Sequence, residues 1–254
     1  MLLAVDIGNT NIVMGIYDSY SWSKLIRLET LPIRSSERYT VSIEREFSHL
    51  CKDLQVISKV VLCSVVPDLT EIFRNILHSI YQVKPFVVNH TVNTGLLRES
   101  IPIELGNDLL ANAAAAHFKY PETYCMVVDF GTALTFTTTS PDGSLLGAAI
   151  VPGVVSASSA LFNKAAQLTS EGIDYNPKSI LGRTSKDAVS AGIIFGYSSL
   201  VEGIILKTER EIQNSLTVIA TGGYSSHLAP SIIQIDEIDM NHTLEGLRLI
   251  QNIN

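Results

Sequence analysis

Two short stretches combine residue types that suit phosphate chemistry. "DIGNTN" (Asp6 to Asn11) and "DFGTALT" (Asp129 to Thr135) each end an apolar run in an aspartate, follow it with a glycine two residues on, and then supply a threonine. Glycine after a strand lets the backbone approach a ligand, and flanking N–H and hydroxyl groups can cradle phosphate oxygens. An aspartate beside phosphates would repel them directly, so its work there is to hold a cation, and Mg²⁺ is favoured because it takes hard oxygen ligands. A single turn of this kind is explained as well by an aspartate that caps its own turn. Two at equivalent places, with a third strand emptying into Thr221-Gly222-Gly223, compose what an ATP cleft between two domains requires. Asp108, just before "LLANAAAAHF", reads on the residues alone as a helix N-cap.

The elements that must carry these turns follow from periodicity. "LLAVDIGNTNIVMGIYD" reads as a hairpin of two strands, and Val41, Ile43, Phe47, Leu50 and Leu54 recur at helical spacing. "SKVVLCSVVP" is a strand closed by proline, "LTEIFRNILHSIYQ" a helix, "PFVVNH" a strand, and "GNDLLANAAAAHFKYP" an Ala-rich helix that Pro121 ends. From "CMVVDFG" the pattern begins again: a strand into a turn, a hairpin at Asp142-Gly143, helices over "VSASSALFNKAAQL" and "SKDAVSAGIIFGYSSLVEGIILKTEREIQ", and a strand at "LTVIATGG". The reading is α/β with two related domains, 1–120 and 121–254, facing one nucleotide cleft. The Ala-rich helix and "SAGIIFGYSS" both allow close helix approach, which would serve a homodimer or, in a monomer, the junction between the two halves.

Bulk properties exclude several classes. The 254 residues carry a net charge of −7 without a Lys/Arg cluster, which argues against a nucleic-acid partner. The mean hydropathy of +0.25 indicates a well-stocked interior, while no apolar run reaches the ~18 residues of a membrane span. The start lacks a signal peptide's basic flank and cleavage site, so a cytoplasmic location is expected. Cys51, Cys63 and Cys125 are too dispersed for a disulfide framework or a zinc site, and the six histidines read as packing or surface residues.

"DIGNTN", "DFGTALT" and "ATGG" resemble the phosphate and adenosine motifs of the actin, heat-shock cognate and sugar kinase superfamily. "SVVP" at Ser64 to Pro67, "GND" at Gly106 to Asp108, "VPG" at Val151 to Gly153, and Gly182 with Thr184 then follow in the order seen in type III pantothenate kinases. The resemblance covers essentially the whole chain. It implies duplicated ribonuclease H-like (actin-like ATPase) domains and ATP-dependent phosphorylation of pantothenate, the first step of coenzyme A biosynthesis. ATP would meet Asp6, Ile7, Gly8, Asn9, Thr10, Asn11, Ile12, Val13, Thr132, Gly222 and Gly223, with Mg²⁺ at Asp6 and a monovalent cation, K⁺ or NH₄⁺, at Asp129. Pantothenate would meet Glu99, Gly106, Asn107, Asp108 and Leu109, with Thr184 reaching it from the second protomer of a homodimer and Asp108 acting as general base. Three positions depart from the family pattern: Leu109 replaces an arginine, Glu99 a tyrosine and Thr137 an aspartate. A paralogue with another acceptor, a sugar or amino-sugar kinase, and a non-catalytic ATP-binding regulator therefore stay open beside the kinase.

Overall fold

The computed structural model describes residues 1–48, 57–165 and 172–254. The chain divides into two compact units, Met1–Phe118 with His242–Asn254, and Lys119–Asn241. The last thirteen residues, which the sequence reading placed in the second half, group with the first unit.

In the first unit, β1 (Leu2–Ile7), β2 (Asn11–Tyr17), β3 (Trp22–Glu29), β4 (Lys59–Ser64) and β5 (Phe86–Val87) form one sheet in the order β3-β2-β1-β4-β5. β1 and β2 are the expected antiparallel hairpin, while β1 and β4 run parallel. β1 is a nearly continuous apolar run, as a strand buried on both faces requires. Leu3, Val5 and Ile7 join a core with Tyr39, Ile43 and Phe47 of α1 (Ser36–Ser48) and Leu69, Phe73 and Leu77 of α2 (Pro67–Tyr81). α1 begins at Ser36, ahead of Val41, the first of the periodic residues, and the continuation through Leu50 and Leu54 lies outside the described residues. α2 starts on Pro67, a residue suited to a first helical position because its missing N–H would have had no helical partner anyway.

The second unit repeats the plan. β6 (Cys125–Phe130), β7 (Ala133–Thr139), β8 (Leu145–Pro152), β9 (Thr217–Thr221) and β10 (Glu237–Ile238) are ordered β10-β9-β6-β7-β8. Renumbered from β6, that is the order and direction of the first sheet, antiparallel through the first three strands and parallel to the fourth. Met126, Val128 and Phe130 face a core shared with Val154 of α4 (Val154–Lys164), Ile194, Val201 and Ile205 of α5 (Ser185–Ile212) and Leu228 of α6 (Ser225–Leu228). The end of the expected "VSASSALFNKAAQL" helix, from residue 166, lies outside the described residues. α5 is long and apolar enough by composition to cross a bilayer, though the sequence reading found no such segment; its buried stripe packs into this core. Glu237 of β10 accepts from Tyr120 Oη at 2.7 Å and pairs with Lys119, tying the start of the unit to its edge strand. Among the described residues Cys63 and Cys125 are buried and join no disulfide; Cys51 lies outside the described residues.

The Ala-rich helix α3 (Asn107–Lys119) is buried from Leu109 to Ala116 within this chain. Its small face therefore does not supply the expected dimer contact. α7 (His242–Asn252), which the sequence reading did not foresee, packs on β1 and β4 and meets α3 at Gly246. His242 Nε2 lies 3.2 Å from the Asn112 carbonyl, and Thr243 Oγ1 donates to Asn112 Oδ1 at 2.8 Å. A Cβ on Gly246 would lie 2.0 Å from the Ala111 carbonyl oxygen. Gly246→Ala should thus destabilise the protein by about 1–3 kcal/mol, because overpacking against backbone outweighs the helix-propensity gain of about 1 kcal/mol. Urea unfolding followed by circular dichroism checks this; an unchanged midpoint would contradict the close crossing.

Candidate active site

Asp6 is the penultimate residue of β1, and the parallel register puts it beside Cys63 of β4. Their side chains share a face, and the Cys63 thiol donates to Asp6 Oδ1 at 3.1 Å. Cys63 is fully buried. Burial, first, and then the charges of Asp6 and Asp108 push its thiol well above the usual range, so it stays protonated. Both carboxylates thus act on one sulfur, which places Asp108 in the neighbourhood of Asp6.

Asp108 is delivered by the start of α3. Gly106, not Asp108, holds the N-cap position, since its carbonyl accepts from Leu110 N at 3.0 Å. Asp108 is the second helical residue, its Oδ1 accepting from Leu109 N at 2.8 Å. A Cβ on residue 106 would lie 2.5 Å from that same oxygen, so glycine there makes room for the carboxylate. Asn107 Nδ2 donates to the Ser64 carbonyl at 3.0 Å and fixes the helix start to the end of β4. Burial raises the Asp108 pKa above the ordinary aspartate value, and the Leu109 N–H partly offsets this.

The first turn runs from Gly8 to Asn11, closed by a Gly8 N–H to Asn11 carbonyl bond of 2.9 Å. Asn9 and Thr10 are exposed, whereas Ile7 and Ile12 are core residues. Of the expected ATP contacts, those two isoleucines have only backbone to offer, and Val13 pairs with Asp6 across the hairpin.

Asp129 is the equivalent residue of β6, in register with Thr221 of β9. The "ATGG" segment lies against it: Gly222 has φ +89°, and a Cβ there would be 2.3 Å from Asp129 Oδ1. Gly223 follows directly. The second turn is one residue shorter than the first, pairing Phe130 with Leu134 where the first pairs Ile7 with Ile12. Thr132 is exposed at its tip. Gly153 of "VPG" packs against this turn, where a Cβ would meet the Gly131 and Thr132 carbonyl oxygens at 2.4 and 2.5 Å.

The remaining expected residues are scattered. Leu109 is 7% exposed, its side chain turned inward. Glu99 is exposed on a single 3₁₀ turn, Arg98–Ser100. Thr137 is buried within β7. Thr184 caps α5, its Oγ1 accepting from Asp187 N at 3.1 Å, and Gly182 packs so tightly on that first turn that a Cβ would lie 2.2 Å from Ala188 N. Cys63 and Thr30, which sequence reasoning passed over, both touch the site; the only available signal for Cys63 was its place one residue before "SVVP".

The profile of the type III pantothenate kinase family matches residues 2–207. Type III pantothenate kinases from Geobacter sulfurreducens and Geotalea daltonii are 37% and 36% identical over 255 residues, covering 100% of this chain and 99% of each relative. Among solved structures, one described as a Baf family transcriptional activator from Campylobacter jejuni matches with a TM-score of 0.62 at 19% identity, covering 99% of this chain and 98% of that one. MreB 5 of Spiroplasma citri bound to AMPPNP matches with 0.56 at 10% identity, covering 99% and 96%. The structural matches establish an actin-like ATPase fold for the two duplicated units. With the family profile and relatives above one-third identity along its whole length, the chain belongs to the type III pantothenate kinase family.

Proposed function

We propose that this chain transfers the γ-phosphoryl group of ATP to the primary hydroxyl of pantothenate, releasing ADP and 4'-phosphopantothenate. The observation that carries the reading is the placement of Asp108, a carboxylate raised by burial, on a helix start fixed to the strand beside Asp6. Asp108 accepts the hydroxyl proton as the acceptor oxygen attacks the γ-phosphorus; the bond to the ADP oxygen breaks and its electron pair leaves with ADP. The turns from Asp6 to Val13 and at Thr132, with Gly222 and Gly223, hold the nucleotide. A Mg²⁺ bound with ATP neutralises phosphate charge, and Asp6 is the side chain that would hold it. Among the described residues no three His, Cys, Asp or Glu side chains group into a metal site. A single partly exposed carboxylate fits Mg²⁺ that takes its remaining ligands from phosphate and water. Asp129 would hold K⁺ or NH₄⁺. The enzyme works in the cytoplasm, consistent with buried thiols that join no disulfide among the described residues.

The inward-facing Leu109 favours one second reading, an acceptor other than pantothenate. Residue 109 does not offer the cation that would meet the pantothenate carboxylate. Glu99, Gly106 and Asn107 would then line the pocket of a different alcohol, with Thr184 reaching it from the second protomer of a homodimer. Steady-state ADP release with pantothenate, with its decarboxylated analogue and with no acceptor separates the two.

We further propose a homodimer. Its support is an exposed apolar set on the second unit: Leu146 and Ile150 on the edge strand β8, Val155 and Leu161 on α4, and Leu206 on α5. Like the edge strand itself, such a set calls for a cover.

Asp108→Asn should cut turnover by about 10²- to 10⁴-fold with ATP affinity and melting temperature kept, since asparagine retains the Leu109 N–H acceptor but takes no proton. In the unaltered enzyme the base works only when ionised, so activity is lost as pH falls through its pKa. Because that pKa is raised, the acid limb of kcat should lie above that of an unperturbed aspartate. A turnover unaffected by Asp108→Asn would remove the base. Ile150, at 65% exposure, tests the dimer: Ile150→Lys should shift sedimentation from dimer to monomer without unfolding, and an unchanged profile would place the interface elsewhere.

A further inference from the structure

The geometry points to a positioning role for the residues that end the third strand of each sheet: Thr30, after β3, and Gly153 with Ser156, after β8, hold the carbonyl oxygens of the two nucleotide turns away from the phosphate-binding face. The inference rests on the proposal that these turns bind ATP.

In the first unit, Thr30 reaches the turn twice. Its Oγ1 donates to the Gly8 carbonyl at 2.7 Å and its N–H to the Thr10 carbonyl at 2.9 Å. With the Gly8 N–H bond to Asn11, three of the four carbonyls of the turn, those of Gly8, Thr10 and Asn11, are engaged by the protein. Thr30 is itself fixed: it is 1% exposed, and its carbonyl accepts from Tyr39 Oη at 3.3 Å. The Tyr39 ring packs on Phe73 with centroids 4.9 Å apart, so the hold on the turn is continuous with the α1–α2 core.

The second unit repeats the contact with different side chains. The registers pair Asn11 with Glu29 and Ala133 with Pro152, which makes Gly153 the counterpart of Thr30 and Thr132 the counterpart of Thr10. The Gly153 N–H donates to the Thr132 carbonyl at 3.1 Å, as Thr30 N–H does to Thr10. Glycine has no hydroxyl, and Ser156, in the first turn of α4, adds a second donor to the same Thr132 carbonyl at 2.8 Å, whereas the Thr30 hydroxyl serves Gly8. The backbone bond extends each antiparallel ladder by one pair and is kept across two turns of unequal length. The physical reason lies in electrostatics. A carbonyl oxygen facing a triphosphate opposes its negative charge, and a turn can present donors to an anion only if its acceptors are turned away.

Calorimetric titration of the full chain with ATP and Mg²⁺, without acceptor, tests this. Thr30→Val is nearly isosteric and removes only the hydroxyl. It should weaken ATP binding about three- to tenfold, the loss expected for one hydrogen bond, while Thr30→Ser restores it. The KM for the acceptor at saturating ATP should not move, which separates positioning from general loosening. Ser156 is exposed, so Ser156→Ala leaves the fold secure and should weaken ATP binding similarly, keeping the test decisive if Thr30→Val fails to fold. ATP affinity unchanged in both Thr30→Val and Ser156→Ala, or a serine at position 30 no better than valine, would overturn the clamp. An equal loss of acceptor affinity would reduce it to a structural role. Failure of the unaltered protein to bind ATP would instead overturn the nucleotide reading, and the clamp with it.

Discussion

Parallel pairing of β1 with β4 is the constraint on which the first unit depends. It aligns the ends of two strands that are distant in sequence, so that Asp6 stands beside Cys63 and Ile7 beside Ser64. From Ser64 the chain turns into α2 and accepts the side chain of Asn107, which brings the start of α3 and its carboxylate to the same edge. Open α/β sheets bind ligands beyond the carboxyl ends of their strands because the turns there are free of the ladder. Removing this register would leave each residue intact and the site without an address.

Duplication explains why two turns of different length serve comparable ends. Both sheets share strand order and direction, so an aspartate at the end of the first strand meets the fourth strand in each: Asp6 beside a thiol, Asp129 beside a threonine. The surroundings then diverge. Around Asp6 the neighbours are polar groups from β4 and α3, whereas Asp129 is backed by a left-handed glycine that lets the chain pass within contact distance of the carboxylate.

The electrostatics of the first unit follow from the same crowding. Burial first, and then two nearby carboxylates, raise the pKa of the Cys63 thiol, and burial raises that of Asp108. A neutral donor suits Asp6 in this position. A lysine or arginine would pair with the carboxylate and take it from a cation, whereas a thiol gives a hydrogen bond without adding charge.

The sequence by itself determined the apolar runs that end in Asp-x-Gly, their repetition, the limits of α5 to within a residue, and the family to which the motifs belong. These are encoded by neighbours two to four positions apart, the periods of strands and helices. Only the tertiary structure decided what each side chain faces. The small surface of α3 was legible as a close-packing face, but not that α7 would occupy it, since His242 and Asn112 are 130 residues apart. Asp108 looked like a cap until Gly106 took that position, and Leu109, an arginine site by resemblance, turned inward. Thr30 gave no local signal, because its partners lie across a hairpin, 22 residues from Gly8, and Cys63 meets Asp6 over a separation of 57. Contacts at those separations are set by strand register, and register follows from how whole faces bury together, a property no short stretch of the chain contains.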